Sequence, residues 1–372
     1  MMEYDIESVA SNFMSAGRLI EAAPFGSGHI NDTFNLRCQT DDGEKRYILQ
    51  RINHQVFRNP AAMMENIRRV TTHIRRKLRD QGDELAQRQL TVIETNDGGA
   101  CFEDEQGNFW RLYNRIEQAV TYDTLESPQT AYEVARMFGW FQRMLIDLPG
   151  LPLHETIPDF HTTPKRLKDF QEVLQRDPCN RAKDARAEIE FVLENAGICD
   201  VLHRLAAEGK MPVRIAHNDA KINNVMLDAK THKGVCVIDL DTVMPGLSLY
   251  DFGDMVRTAT SPTDEDERDL SKVAMQMSRF EMLAKGFAEE THAFLTPAEI
   301  KYLTFSARLI TFEQMIRFLA DYLAGDVYYK VRREGHNLDR SRTQMILVQS
   351  IIEQKDAMND VVESIFQQTD AP

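Results

Sequence analysis

The spacing of apolar positions changes about a third of the way along the chain. Over residues 4–16, Ile6, Val9, Phe13 and Met14 recur at helical spacing and predict a helix. Between 22 and 37, apolar residues fall into two strand-length runs on either side of a Gly-rich turn. Tyr47-Ile48-Leu49 follows the Asp41-Asp42-Gly43 turn and reads as a further strand. Residues 60–80 predict a helix opened by Pro60, a first-turn position where a missing N–H costs nothing. Stretches 89–95 and 109–117 read as two more strands. Beyond residue 118 the pattern becomes that of long helices, at 129–147, 183–207, 264–290, 296–324 and 340–367. One short β cluster interrupts them, at 213–216, 225–227 and 235–239. Thr296-Pro297-Ala298-Glu299 supplies a capping box for the helix that follows, with hydroxyl and carboxylate each satisfying an orphan N–H.

This order predicts an α+β chain with a small β-rich lobe, residues 1–117, and a larger, mainly helical lobe, residues 118–372. A cleft between two such lobes is a common place for a small-molecule site. Composition narrows the class. Of 372 residues, 44 are Lys or Arg and 58 are Asp or Glu, a net charge of −14. That balance argues against nucleic acid as a partner, since such binding works by neutralising phosphates. No apolar run approaches the ~18 residues of a membrane span. The first residues lack the basic start and apolar block of a signal peptide. The five cysteines form no CxxC pair, which fits reduced thiols and a cytoplasmic location. No heptad pattern stands out, so a monomer is expected.

Three segments carry candidate chemistry. Phe25-Gly26-Ser27-Gly28-His29-Ile30-Asn31 is a turn between strands whose glycines let backbone N–H groups approach a phosphate. A plain hairpin turn is the alternative. It lacks the GK[ST] of a Walker loop, and a strand follows it where a dinucleotide fingerprint needs a helix. His217-Asn218-Asp219-Ala220-Lys221-Ile222-Asn223-Asn224 is more specific. In phosphoryl transfer an Asp orients the acceptor hydroxyl and takes its proton, and an Asn five residues on can turn back to a divalent cation. Lys221 is placed to meet the transferred phosphate as a point charge. His217 reads as a brace for this loop, because a base already sits two residues on. Val235-Cys236-Val237-Ile238-Asp239 is an apolar strand ending in a carboxylate. It starts eight residues after Leu227, a hairpin spacing that would return Asp239 to the side of Asn224. A carboxylate and an amide oxygen there would suit Mg²⁺ on nucleotide phosphates. Asp241 is a second, weaker candidate. Asp251-Phe252-Gly253 spells the metal motif of protein kinases but follows a helix start at Leu247-Ser248-Leu249-Tyr250, so Asp251 is expected to anchor that helix.

Taken in order, these segments resemble the aminoglycoside phosphotransferase/choline kinase superfamily, over essentially the whole chain. Within it, Gly28-His29-Ile30-Asn31, Tyr47-Ile48-Leu49-Gln50, the 217–224 loop, Ile238-Asp239-Leu240-Asp241-Thr242-Val243-Met244-Pro245-Gly246 and Arg317-Phe318-Leu319-Ala320-Asp321-Tyr322-Leu323 are similar to the N-acetylhexosamine 1-kinases. The resemblance implies a protein-kinase-like two-lobe fold, with ATP and Mg²⁺, and transfer of the γ-phosphate to the anomeric hydroxyl of N-acetylglucosamine or N-acetylgalactosamine. It implies Asp219 as catalytic base, with Lys221 beside it. Asn224 and Asp239 would be the metal ligands, and Gly26, Ser27 and Gly28 would line the phosphates. His29 and Arg317 match sugar-contacting positions, and Tyr328, in Gly325-Asp326-Val327-Tyr328, is a weaker sugar-pocket candidate.

One departure stands out. Kinases place a Lys at the end of the third strand to hold the α- and β-phosphates. Here Gln50 occupies that slot, and Lys221 or Arg51 is expected to supply the cation. Two other readings stay open. The same fold could phosphorylate another hydroxyl, on another hexose, an aminoglycoside, choline or homoserine, or the chain could bind nucleotide as a pseudokinase without turnover. The bland alternative for Arg317 is an ion pair on its own helix with Glu313 or Asp321.

Overall fold

A computed structural model describes residues 4–13, 17–26, 30–125 and 127–369. The chain forms two compact units, each discontinuous in sequence. The first contains residues 1–119, 147–158 and 235–245, and the second residues 120–146, 159–234 and 246–372.

The first unit is built on a six-stranded sheet in the order β1-β2-β3-β6-β4, with β5 also on β6. Its strands are β1 (Arg18–Pro24), β2 (Asp32–Thr40), β3 (Gly43–Ile52), β4 (Val92–Ile93), β5 (Phe102–Glu103) and β6 (Phe109–Asn114). Alternation along β2 and β3 puts Leu36, Cys38, Tyr47 and Leu49 on one face with Trp110 and Leu112 of β6. The short helix α1 (Ile6–Ala10) covers that face with Val9 and Ala10. The helix read over 4–16 stops at Ala10, and Phe13 forms a β bridge with Thr95 instead. Met14 lies outside the described residues.

Helix α2 (Pro60–Asp80) starts as expected, with Pro60 in the first turn and the Asn59 side chain accepting from Ala62 N at 3.1 Å. It buries Met63, Met64, Ile67, Val70 and Ile74. It also explains why distant segments join this unit. Buried Asn66 donates to His154 O at 2.8 Å and Val243 O at 3.1 Å, and accepts from His154 N at 2.9 Å. A buried amide with all three bonds made leaves no desolvation penalty outstanding.

The rest of the chain adds five short strands and nine α-helices among the described residues. In order these are β7 (Ala119–Val120), α3 (Pro128–Leu145), α4 (Thr163–Arg176), α5 (Arg186–Asn195), α6 (Val201–Ala207), β8 (Arg214–Ala216), β9 (Val225–Asp228), β10 (Gly234–Val237), β11 (Met244–Gly246), α7 (Ser248–Ala259), α8 (Met277–Thr291), α9 (Pro297–Ala324), α10 (His336–Glu353) and α11 (Lys355–Thr369). The core of the second unit centres on α9. Phe312, Ile316, Leu319 and Leu323 pack with Phe170 of α4, Val192 of α5 and Val348 of α10. The capping box at Thr296–Glu299 forms as read.

Several helical readings are corrected. The 183–207 pattern is two helices separated by a 3-10 turn at Ala196–Ile198. The 340–367 pattern is two helices, α10 and α11. The helix read from 264 starts only at Met277, because the acidic stretch before it serves tertiary contacts. Asp266 accepts from Arg333 at 3.1 Å and pairs with His336 at 2.8 Å, and Glu267 O accepts from Thr343. Helix α4 went unread, although Thr163-Pro164 is a fair opening signal.

Candidate active site

The second unit contains the His217–Asn224 loop, between β8 and β9. Two anchors fix it. Asp251, on α7, accepts from His217 N at 2.9 Å and Asn218 N at 2.7 Å, and from Gln142 at 2.7 Å. The His217 ring is buried between Phe138 and Phe141, at centroid distances of 5.3 and 5.9 Å, and its Nδ1 accepts from Asp219 N at 3.3 Å. Asp251 thus holds the loop by its backbone, and Asn218 is driven to a left-handed φ of 64°.

The fixed loop presents a compact charged group. Lys221 Nζ lies 2.8 Å from Asp219 Oδ1. The buried Asn224 donates its amide to Asp219 O at 2.9 Å and Oδ2 at 3.3 Å. Burial pushes the Asp219 carboxyl up, but the Lys221 ammonium, then His217 and Arg257, outweigh it and hold Asp219 below the usual carboxylate range. Asp219 is therefore ionised at neutral pH. Lys221 is held above its ordinary value, because Asp219 and Asp254 outweigh the cost of burying it.

Arg317 comes to this group from α9 and is within electrostatic reach of Asp219. It forms no ion pair with Glu313 or Asp321. Its Nη1 donates to Gln314 at 3.3 Å, and its guanidinium lies over Phe160 at 5.2 Å and Tyr329 at 5.8 Å. Its two acidic neighbours on α9 are committed elsewhere. Glu313 pairs with His161 Nδ1 at 2.8 Å and accepts from Thr163, while His161 Nε2 lies 2.7 Å from Asn218 O. Asp321 accepts from the backbone N–H groups of Val327, Tyr328 and Tyr329 at 2.9, 2.8 and 2.9 Å. That turn carries Tyr328, whose side chain is exposed and stacks edge-on with Tyr329. His161 and Tyr329 had no signal in the sequence, because nothing local marks them.

The first unit contains Asp239, Gly26, Gln50 and Arg51. Asp239 has a left-handed backbone, φ 57° and ψ 54°, uncommon for a non-glycine residue. Gly26, two residues beyond β1, has φ 78°, a conformation that favours glycine. Ser27, Gly28 and His29 lie outside the described residues. Arg51 is paired with Asp32 at 2.7 Å and lies over Tyr4.

Gln50 is the more informative residue. It sits opposite Arg111 of β6, donates to Thr33 at 3.0 Å and accepts from Arg111 Nε at 2.9 Å. Arg111 is 1% exposed and forks onto both oxygens of Asp241, with Nη2 to Oδ2 at 3.0 Å. Asn31 adds a bond to Asp241 at 2.8 Å and accepts from Asn53 N. Burial opposes the Arg111 charge, but Asp241 and, further out, Asp239 sustain it. Asp241, the weaker metal candidate, is thus the partner of a buried arginine. Arg111 was missed because a lone Arg in an apolar strand looks like an edge position.

Among the described residues no three His, Cys, Asp or Glu side chains cluster as a protein-only metal cage. Mg²⁺ on a nucleotide needs no such cage, since water and phosphates supply most of its oxygens. Taken separately, Asn224 in the second unit spends its amide nitrogen on Asp219, which leaves its carbonyl oxygen a hard donor, and Asp239 in the first unit carries a carboxylate. The donor chemistry fits that ion.

A sheet-rich N-terminal part followed by a helical C-terminal part is a protein-kinase-like fold. In that class the chain is similar to an aminoglycoside phosphotransferase from Alicyclobacillus acidocaldarius, at 13% identity and TM-score 0.56, covering 99% of this chain and 97% of that one. It is similar to a choline kinase from Cryptosporidium parvum, at 13% identity and TM-score 0.55, covering 93% of each chain. It is similar to a spectinomycin phosphotransferase solved with ADP and spectinomycin, at 12% identity and TM-score 0.53, covering 97% and 96%. The profile of the APH phosphotransferase enzyme family matches residues 21–276, and the chain belongs to that family. It is a small-molecule phosphotransferase. No helix among the described residues is long and apolar enough to cross a membrane.

Proposed function

We propose that the protein is an ATP-dependent kinase of N-acetylhexosamines that phosphorylates the anomeric hydroxyl of N-acetylglucosamine or N-acetylgalactosamine. The environment of Arg317 carries this reading. The aromatic faces of Phe160 and Tyr329, near Asp219, are already filled by a fixed guanidinium. A choline head group would need such faces for itself. A polycationic aminoglycoside would meet Lys221, Arg257 and Arg317 as like charges. A neutral, hydroxyl-rich acceptor meets donors and acceptors without a charge conflict. The motif resemblance to the N-acetylhexosamine 1-kinases narrows that class.

Asp219 would accept the proton of the C1 hydroxyl as its oxygen bonds to the γ-phosphorus and the bond to the ADP oxygen breaks. Lys221 would follow the charge on the phosphoryl oxygens. Asn224 and Asp239 would hold Mg²⁺, which neutralises phosphate charge when bound. Gly26, Ser27 and Gly28 would line the phosphates, and His29, Arg317 and Tyr328 would contact the sugar. Arg51 would need to leave Asp32 to reach a phosphate, so Lys221 is the better replacement for the third-strand lysine. The fold neighbour solved with ADP supports ATP as donor. We place the enzyme in the cytoplasm, as a monomer.

A panel of sugars, choline and spectinomycin with ATP and Mg²⁺, read by phosphorus NMR, tests this. The expected product is an anomeric sugar phosphate. A phosphate on a primary hydroxyl, on choline or on spectinomycin would contradict it, as would ATP binding with no turnover.

A further inference from the structure

The peptide that carries Asp219 is held from both sides of Asn218. That residue has φ 64°, a left-handed backbone that a non-glycine residue keeps only where its surroundings over-determine it. Asp251 holds the N–H side at 2.7 Å. The carbonyl side, which is the peptide bond to Asp219, lies 2.7 Å from Nε2 of His161. Through Nδ1, His161 lies 2.8 Å from Glu313, and Thr163 Oγ1 donates to the second oxygen of that carboxylate at 2.5 Å. The side chains of His161 and Glu313 are 8% and 1% exposed.

Both ring nitrogens of His161 therefore face acceptors. A carbonyl oxygen only accepts, and a carboxylate that takes the Thr163 hydroxyl at one oxygen accepts at the other. The ring serves both only with a proton on each nitrogen. A neutral ring has a single N–H to give. The carboxylate takes it, because hydrogen bonds to an ion are the stronger ones, and the Asn218 oxygen is left against a lone pair. Titratable and charged groups approach from every side. Glu313 and Arg317 stand on α9, Arg317 over the neighbouring Phe160. On α7, the Tyr250 ring lies 4.8 Å from the His161 ring and Asp254 acts from further off. His203 of α6 lies 3.1 Å from His161 O, and Arg166 of α4 donates to Phe160 O at 3.1 Å. Asp219 follows Asn218 in the loop. Among these, Glu313 outweighs the cost of burying the ring's charge.

We propose that His161, doubly protonated and held by Glu313, is a positioning residue for phosphoryl transfer that aligns the Asp219 peptide through the Asn218 carbonyl. This rests on the reading of Asp219 as the base. His161 takes no proton from the acceptor; it acts only through the loop, and no motif in the sequence marks it.

The test is the pH profile of kcat in wild type and two variants. Wild-type kcat should fall by roughly tenfold or more on the alkaline side as the ring loses a proton, since small misplacements of a reacting group cost that much. Acceptor and ATP KM should stay within about threefold. Glu313→Gln should remove the alkaline fall. Its amide oxygen takes the Thr163 hydroxyl and its NH2 donates to Nδ1, so a neutral ring keeps Nε2–H on the Asn218 oxygen. His161→Leu combined with Glu313→Leu leaves neither a buried charge nor a donor. That double variant should have a kcat roughly tenfold or more below wild type at neutral pH, with similar KM values. Nitrogen NMR of the imidazole gives a reading independent of turnover. It should show two N–H groups at neutral pH in wild type and one in Glu313→Gln. An alkaline fall that Glu313→Gln leaves unmoved would overturn the proposal. So would wild-type kcat in the double leucine variant, or a neutral His161 ring in wild type at neutral pH. Turnover of an acceptor other than the two sugars refutes the sugar reading alone, and the profile is then measured on that acceptor with the same outcomes. An enzyme that turns over no acceptor refutes the proposed function and this proposal together.

Discussion

Asp219 keeps its charge because cations surround it, and the same principle governs the pair that braces its loop. His161 is held above its ordinary value, burial being outweighed by Glu313, and Glu313 is held below its own, burial being outweighed by His161. The histidine's contribution to stability is fully present below the unfolded value of about 6.5 and is lost as pH rises through its raised folded value. The glutamate's contribution is present above about 4.3 and is lost as pH falls through its lowered folded value. The pair therefore stabilises most between roughly pH 4.3 and 6.5. Glu313→Gln should lower Tm most in that window, with the gap to wild type narrowing at alkaline pH. A Tm difference that grows steadily above pH 7 would show that His161 is not charged. This pair joins residues 152 positions apart, so Glu313 is committed to His161, and the alternative of an ion pair between Arg317 and Glu313 gives way to a cation stacked on Phe160.

Elements show the same division between local and long-range information. The contacts within the 217–224 segment were legible because they lie within a few residues of chain, and the capping box of α9 because a cap is a four-residue matter. The Arg111–Asp241 pair was not legible, since it joins positions 130 apart through a strand that reads as apolar. Breaking such a pair from one side strands a buried charge. Arg111→Met should destabilise by about 3–5 kcal/mol, and the double variant with Asp241→Leu should recover much of that. Urea unfolding of the three proteins measures it, and an additive double variant would contradict the pairing. Helix α7 makes a second case. A Cβ at Gly253 would stand 2.5 Å from the backbone oxygen of Ser306 on α9. A backbone atom cannot yield cheaply, so Gly253→Ala should cost about 1–3 kcal/mol and lower kcat by displacing Asp251. Wild-type Tm together with wild-type kcat would contradict that account of α7.

At the scale of the whole molecule, the charge of −14 says little about the site. Lys221, Arg257 and Arg317 gather around Asp219 inside an acidic protein, and net charge records only what is left at the surface. The order of strands and helices was readable because the hydrophobic period changes once along the chain. The discontinuous make-up of the units was not, because it depends on single side chains such as Asn66 reaching two distant carbonyls. Nucleotide should stabilise the folded chain by mass action. ATP at a hundred times its Kd with Mg²⁺ should add about 2.7 kcal/mol, and chelating the metal should remove most of the rise in Tm. An ATP-induced shift indifferent to chelation would contradict Asn224 and Asp239 as ligands.

The role of Asp219 is tested most directly by comparing kcat and ATP affinity for Asp219→Asn and wild type on the sugar acceptor. The expected result is a kcat lower by about 10²–10⁴-fold, the usual contribution of a positioned base, with ATP Kd unchanged. Turnover at the wild-type rate would contradict the assignment of Asp219 as the group that takes the acceptor's proton.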